Sequence, residues 1–237
     1  MPPGFKRRDL RARYDVATID EDDWHAYTGE RTKQILDNQL TTYHLKSIWL
    51  LNAGAGVYEI GRRNCKEVSV DLFTAPIRDR PFSICANVEH LPFHSSTFGA
   101  IVCVGEVLAY CDPAAAIREF ARVIAPCGLL ICDFASSRST RYWLRPQYGR
   151  AADLVTEYYN GTREKTWIYD PPYVKSLLIS SGFEIKTTVG THAFSALARR
   201  IGVTVSGALY LQRRLEWLRV PRQWSDLITI VAEQVAS

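Results

Sequence analysis

The stretch Trp49-Leu50-Leu51-Asn52-Ala53-Gly54-Ala55-Gly56 decides the fold of this chain. A short apolar run ends in Gly-x-Gly, and a second apolar run, Val68-Ser69-Val70, is closed by Asp71. A strand that runs into a glycine turn lets backbone approach a ligand closely, because glycine has no Cβ and accepts positive φ. An acid at the tip of the next strand can hold a ribose diol. Together these features predict a nucleotide-like cofactor at the edge of a parallel sheet. Gly-x-Gly alone also marks ordinary tight turns, so the rest of the chain has to decide.

Working outward, strands and helices alternate. Residues 47–52 read as a strand, 57–63 as a short helix, 67–71 as a second strand and 82–86 as a third. Residues 99–105 form a continuous apolar run, the pattern of a strand buried on both faces. A helix is expected over 113–124, with Asp112 as N-cap and Pro113 at its first position. Pro126-Cys127-Gly128 reads as a turn before a fifth strand at 129–134. Upstream, Trp24, Tyr27, Ile35, Leu36 and Leu40 recur at helical spacing within 22–46. Downstream, Asp170-Pro171-Pro172 opens a helix that runs to Ser181 and stops at Gly182. A strand at 183–189, apolar and basic residues at helical spacing over 193–219, and a last strand at 226–232 complete the chain. The pattern predicts an α/β fold with a doubly wound, mostly parallel, seven-stranded sheet. It adds an N-terminal helical region and a late helical insertion before a last antiparallel strand. With no repeat or linker in view, one domain is expected over 1–237. Residues 1–46 would be a lid region, 47–135 the cofactor core, and 136–237 the substrate side and final strands.

Composition narrows the class. Hydrophobic residues make up 47% of the 237, enough for a full core. A formal charge of +4 is too small to argue for nucleic acid by itself. There is no apolar run of membrane-spanning length, and the charges of residues 1–8 lack the apolar stretch of a secretory signal. The six cysteines show no CxxC pairing, and most lie in apolar runs, where they act as small hydrophobes. They are read as reduced thiols in a cytoplasmic protein without zinc; the histidines lack ligand spacing, so no metal is expected.

Further pieces, in this order, resemble a class I S-adenosylmethionine-dependent methyltransferase of the small-molecule type. The resemblance is carried by Leu51–Gly56, Asp71, Asn87-Val88-Glu89-His90-Leu91-Pro92-Phe93, Phe98-Gly99-Ala100-Ile101-Val102, Gly105–Tyr110, Asp112-Pro113, Arg118-Glu119 and Arg122 through Gly128. It covers residues 47–135 well and the chain end loosely. It implies S-adenosylmethionine as cofactor, bound by Asn52, Ala53, Gly54, Gly56, Asp71, Leu72, Asn87, Val88, Val104 and Gly105. Asp71 would take the ribose, Asn87 and Val88 would flank the adenine, and the Gly105 turn would lie beneath the sulfur. Glu106 and Tyr110, after strand four, are the substrate-side candidates for catalysis. Tyr14, His25, Tyr27 and His192 are further candidates for a base.

The chain departs from the family at four positions. Asn52 and Asn87 stand where acids are usual, Glu59 occupies the third glycine position, and Cys127 replaces a glycine of Pro-Gly-Gly. The expected partner is a small-molecule acceptor, not nucleic acid, with the oligomeric state open. The Arg-rich, apolar stretch 199–222 could serve as a substrate lid, a dimer face or a membrane-surface contact. Asp170-Pro171-Pro172-Tyr173 mimics the base-gripping motif of nucleic-acid amino-methyltransferases. It follows strand five rather than strand four, and a helix start explains it. RNA or protein methylation, cofactor binding without turnover, and nicotinamide-dependent redox chemistry are the alternatives. The last lacks a Tyr-x-x-x-Lys pair.

Overall fold

The computed structural model describes residues 23–43, 49–61, 65–159, 162–218 and 220–235. Its centre is a seven-stranded sheet built from β1 (Trp49–Ala53), β2 (Lys66–Asp71), β3 (Ser83–Cys85), β4 (Phe98–Cys103), β5 (Ile124–Ala135), β8 (Phe183–Thr191) and β9 (Leu227–Gln234). The spatial order is β3-β2-β1-β4-β5-β9-β8. The first five strands pair in parallel, and β9 runs antiparallel to both β5 and β8. The strand order reverses between β1 and β4, which places a ligand crevice outside their carboxyl ends. The doubly wound sheet and its antiparallel late edge match the expectation from sequence.

Side chains alternate between the two faces of the sheet. On one face Leu51, Ile101, Cys103, Leu130, Cys132 and Ile230 pack against Ile117 and Phe120 of α2 (Pro113–Val123) and Val174 and Leu178 of α3 (Pro171–Ser180). On the other, Leu50, Ala100, Val102, Leu129, Ile131 and Val231 meet Leu40 of α1 (Asp23–Thr42). Asp112 caps α2 as expected, its Oδ1 accepting from Ala114 N at 2.9 Å and Ala115 N at 3.2 Å.

The structure adds to or departs from the local reading at four places. The helix expected over 57–63 is absent among its described residues. Glu67 on β2 instead takes the Ile60 N–H at 2.9 Å and the Gly61 N–H at 3.1 Å. Asn52 Nδ2 donates to Tyr58 O at 2.9 Å. Backbone groups of this segment are thus satisfied across the sheet end, not along a helix. The helical stretch expected over 193–219 forms two helices, α4 (Ala193–Arg200) and α5 (Val205–Leu215), parted at Gly202 with φ 88° and Thr204, whose Oγ1 accepts from Gly207 N. Pro126-Cys127-Gly128 lies inside β5, at a register shift against β4 and with Cys127 at φ 56°. Finally, an antiparallel hairpin, β6 (Ala152–Tyr159) with β7 (Thr162–Tyr169), occupies a stretch to which no element was assigned from sequence.

Candidate functional site

The carboxyl ends of β2, β1, β4 and β5 carry a continuous line of polar contacts. Asp71 ends β2 and is 2% exposed. Its Oδ2 accepts from Gly56 N at 2.9 Å and its Oδ1 from Phe73 N at 3.0 Å. Burial pushes its pKa up, against the pull of those amides. The β1 turn is held to β2 by Gly54 N and Ala55 N, both donating to Val70 O. Arg80 closes the turn from outside, donating to Gly56 O and Ser69 Oγ at 2.9 Å each.

Beyond β4, Gly105 and Glu106 both adopt left-handed φ, 85° and 61°. Their N–H groups converge on Asp133 of β5, at 3.0 Å to Oδ2 and 2.8 Å to Oδ1. Asp133 is 1% exposed, and burial pushes its pKa up to about 6 despite the two donors. A short 3₁₀ turn, Val107–Tyr110, follows. Its Val107 sits so close to Gly54 that a Cβ there would collide with it. Tyr169 of β7 donates its hydroxyl to Leu108 O at 3.0 Å, anchoring the same turn from the hairpin side.

The Leu-Pro-Phe segment is clamped by α2. Arg122 donates to Phe93 O at 2.7 Å and Leu91 O at 2.9 Å, and Glu119 accepts from Leu91 N at 2.8 Å. Arg122 and Glu119 are themselves paired at 2.8 Å, which holds the Glu119 pKa down. Motif pieces far apart in sequence therefore form one clamp that fixes Asn87, Val88 and Glu89. Asn87 folds onto Glu89, its Oδ1 accepting from Glu89 N at 3.1 Å; Glu89 Oε1 accepts from Asp112 N at 2.8 Å.

The sequence-derived site residues fall into groups. Gly54, Gly56, Asp71, Gly105, Glu106 and Tyr110 lie along the strand-end line, with Leu72 half-buried just after Asp71. Ala53 and Val88 are core residues, and half-buried Val104 packs on the α1 face. Asn52 is buried, its Nδ2 committed to Tyr58 O and, at 2.8 Å, to Glu67 Oε1. Exposed Glu59 pairs with Arg80 at 3.7 Å. Asp170 is the N-cap residue of α3, but its carboxylate takes Arg138 at 2.6 and 3.1 Å, so the ion pair explains Asp-Pro-Pro-Tyr without a base. Asp133 was missed; its only signal is an acid inside the apolar run Leu129-Leu130-Ile131-Cys132-Asp133-Phe134.

Of the lid candidates, Tyr14 lies outside the described residues. His192, 2% exposed, stacks on Trp24 with ring centroids 3.9 Å apart. Its Nε2 meets Thr28 Oγ1 at 2.8 Å and its Nδ1 meets Ser195 Oγ at 2.9 Å. Burial, then Arg141 and His25, bring its pKa down to about 3, so it is neutral and joins α1 to α4. Tyr27, also buried, donates to Glu216 at 3.2 Å, and burial with Glu216 pushes its pKa up to about 12. No described helix is long and apolar enough to cross a membrane.

The donor set fits an adenosyl cofactor. Gly56 and Gly105, both left-handed, face space in which a Cβ would meet nothing within 4 Å. Each oxygen of Asp71 accepts one backbone N–H, from Gly56 and from Phe73, and keeps capacity for a ribose hydroxyl.

Residues 40–132 match the sequence model of a methyltransferase domain. No curated protein matches the chain in sequence. Solved structures share its fold at low identity. PH0226 from Pyrococcus horikoshii aligns at 14% identity over 98% of this chain and 100% of that one, with a TM-score of 0.62. The 1,6-didemethyltoxoflavin-N1-methyltransferase of Burkholderia thailandensis, with bound S-adenosylhomocysteine, aligns at 15% over 99% and 93%, TM-score 0.56. The [4+2]-cyclase SpnF aligns at 17% over 88% and 81%, TM-score 0.57. Fold alone does not select among such chemistries, but the matched domain covers the cofactor half of the sheet. Residues 40–132 are thus matched to a methyltransferase domain, and the fold is one shared with S-adenosylmethionine-dependent methyltransferases of known structure.

Proposed function

We propose that the chain methylates a small organic acceptor, held between the strand-end turns and a helical cap. One observation carries this reading: α1 is joined to the late helices on the side where the cofactor glycines lie. Arg31 pairs with Glu216 at 2.9 Å, Ser206 donates to Asp23 at 3.0 Å, and His192 stacks on Trp24. A Cβ on Gly29 of α1 would lie 3.5 Å from Tyr58 Oη of the β1 turn. A site closed by such a cap suits an enclosed metabolite better than a polymer. The toxoflavin precursor methylated by the Burkholderia relative is of that class.

When bound, the cofactor would supply a methyl group on a sulfonium sulfur, open to in-line attack by an acceptor lone pair with the neutral thioether as leaving group. The protein's main task is then orientation. In this reading Asp71 and the Gly56 turn hold the adenosyl end, with Asn87 and Val88 beside the adenine. Asn52 supports the turn from below. Glu106 and Tyr110 face the acceptor and take or orient its proton where a hydroxyl or ammonium reacts.

The test is calorimetric titration with S-adenosylmethionine, S-adenosylhomocysteine and NADH, then a labelled-methyl assay over amines, hydroxyls and activated carbons. Binding of both sulfur compounds, with transfer to a small acceptor that Tyr110→Phe slows without changing cofactor affinity, supports the proposal. Transfer only to RNA or protein, or binding without turnover, overturns it.

A further inference from the structure

Two consecutive left-handed residues end β4. Glycine at 105 takes that conformation freely, but Glu106 has a Cβ and is strained there. What holds it is Asp133, which takes both turn amides at 2.8 and 3.0 Å from inside the core. Without that acceptor pair two amides would lose their partner, and Glu106 would relax toward negative φ. Gly105 is exposed on its other side, with room around its Cα. Across the β5–β9 ladder Asp133 stands opposite Thr229, whose hydroxyl has no partner among the described residues, so the carboxylate gains no further support from β9.

We infer that Asp133 is the positioning residue of the cofactor site: through the Gly105 and Glu106 amides it holds the β4 turn in the left-handed form that leaves the glycine face open to the cofactor. The inference rests on the Gly105 turn being part of that site. A carboxylate is required because two N–H groups converge on two oxygens; an amide offers one oxygen and an NH₂ that would face the second donor.

A pH dependence follows. A protonated Asp133 accepts more weakly and carries a hydrogen on one oxygen, so cofactor affinity falls as this acid is titrated. The ionisable groups around it are Cys103 on β4, Cys132 beside it and Glu106 in the turn. Burial pushes both thiols up, which keeps them neutral across the acid range.

The experiment is the Kd of S-adenosylhomocysteine from pH 5 to 8 for the wild type and Asp133→Asn, with amide hydrogen exchange of Gly105 and Glu106 in the ligand-free protein. The expected wild-type Kd rises about tenfold between pH 7 and 5, as the binding-competent ionised fraction falls. Asp133→Asn should bind at least about tenfold more weakly at pH 7, lose this pH step and exchange one turn amide faster. Asp71 titrates alike in both proteins, so the difference between profiles isolates Asp133. If Asp133→Asn does not fold, carboxyl NMR of the wild type decides. An Asp133 pKa that falls on ligand binding supports the inference, and an unmoved one overturns it. A variant with wild-type Kd and an unchanged pH profile overturns this inference alone. A wild type that binds neither sulfur compound overturns the cofactor reading as well.

Discussion

Asn52 donates its side-chain amide to Glu67 across the β1–β2 pair at 2.8 Å, in the position where the family resemblance implies an acid. The charge here lies on the neighbouring strand, where Glu67 collects the Ile60 and Gly61 amides in place of a helix N-terminus. Introducing that acid should therefore harm this protein. Asn52→Asp sets two carboxylates against each other in a buried position and should cost about 2–4 kcal/mol in urea unfolding. Adding Glu67→Gln should recover most of that loss. An Asn52→Asp variant as stable as the wild type would show that the pair carries no weight.

Asp71 is predicted to hold the ribose. Asp71→Ala should weaken S-adenosylhomocysteine binding by about 1–3 kcal/mol through lost charge-assisted hydrogen bonds. Calorimetry with unchanged affinity would remove Asp71 from the site.

Cys127 occupies a left-handed position, φ 56°, where the family resemblance implies glycine. Cys127→Gly relieves the Cβ clash but adds chain entropy to the unfolded state. The net expectation is a gain of up to about 1 kcal/mol, read as a raised melting temperature; a lowered one would mean the thiol packs usefully.

His192 and Asp133 should bend the pH–stability curve in opposite directions. The folded pKa of His192 lies at about 3, below the ordinary 6.5, so the unfolded chain binds the proton first and stability is lost as pH falls from 6.5 toward 3. The folded pKa of Asp133 lies at about 6, above the ordinary 3.8, so its contribution is full below 3.8 and is lost as pH rises through 6. Between pH 4 and 6 the two nearly cancel. Relative to wild type, His192→Gln should gain stability as pH falls through this window and Asp133→Asn should lose it, in unfolding curves at each pH. Parallel curves for all three proteins would refute the assignment.

The strand-end line was partly legible before folding. Gly54, Gly56 and Asp71 announce themselves because glycine turns and strand-end acids are local signals, readable from apolar runs a few residues long. Asp112-Pro113 was legible for the same reason: the cap is made with amides two and three residues on. Glu119 and Arg122 were visible as motif pieces, but not as the clamp on Leu91 and Phe93, since those contacts join segments about thirty residues apart. Asp133 gave almost no sign, because a single acid in an apolar strand declares neither its depth nor the amides it meets.

What the sequence by itself determined is the order of strands and helices, the doubly wound sheet and the glycine turn, because hydrophobic period and turn chemistry act over short spans. Only the tertiary structure decided which charges serve the turns: Glu67 in place of a helix, Asp133 under the β4 turn, and His192 as a neutral staple to Trp24 rather than a base. Each of these depends on burial and on a partner from a distant segment, and neither exists until the sheet has closed.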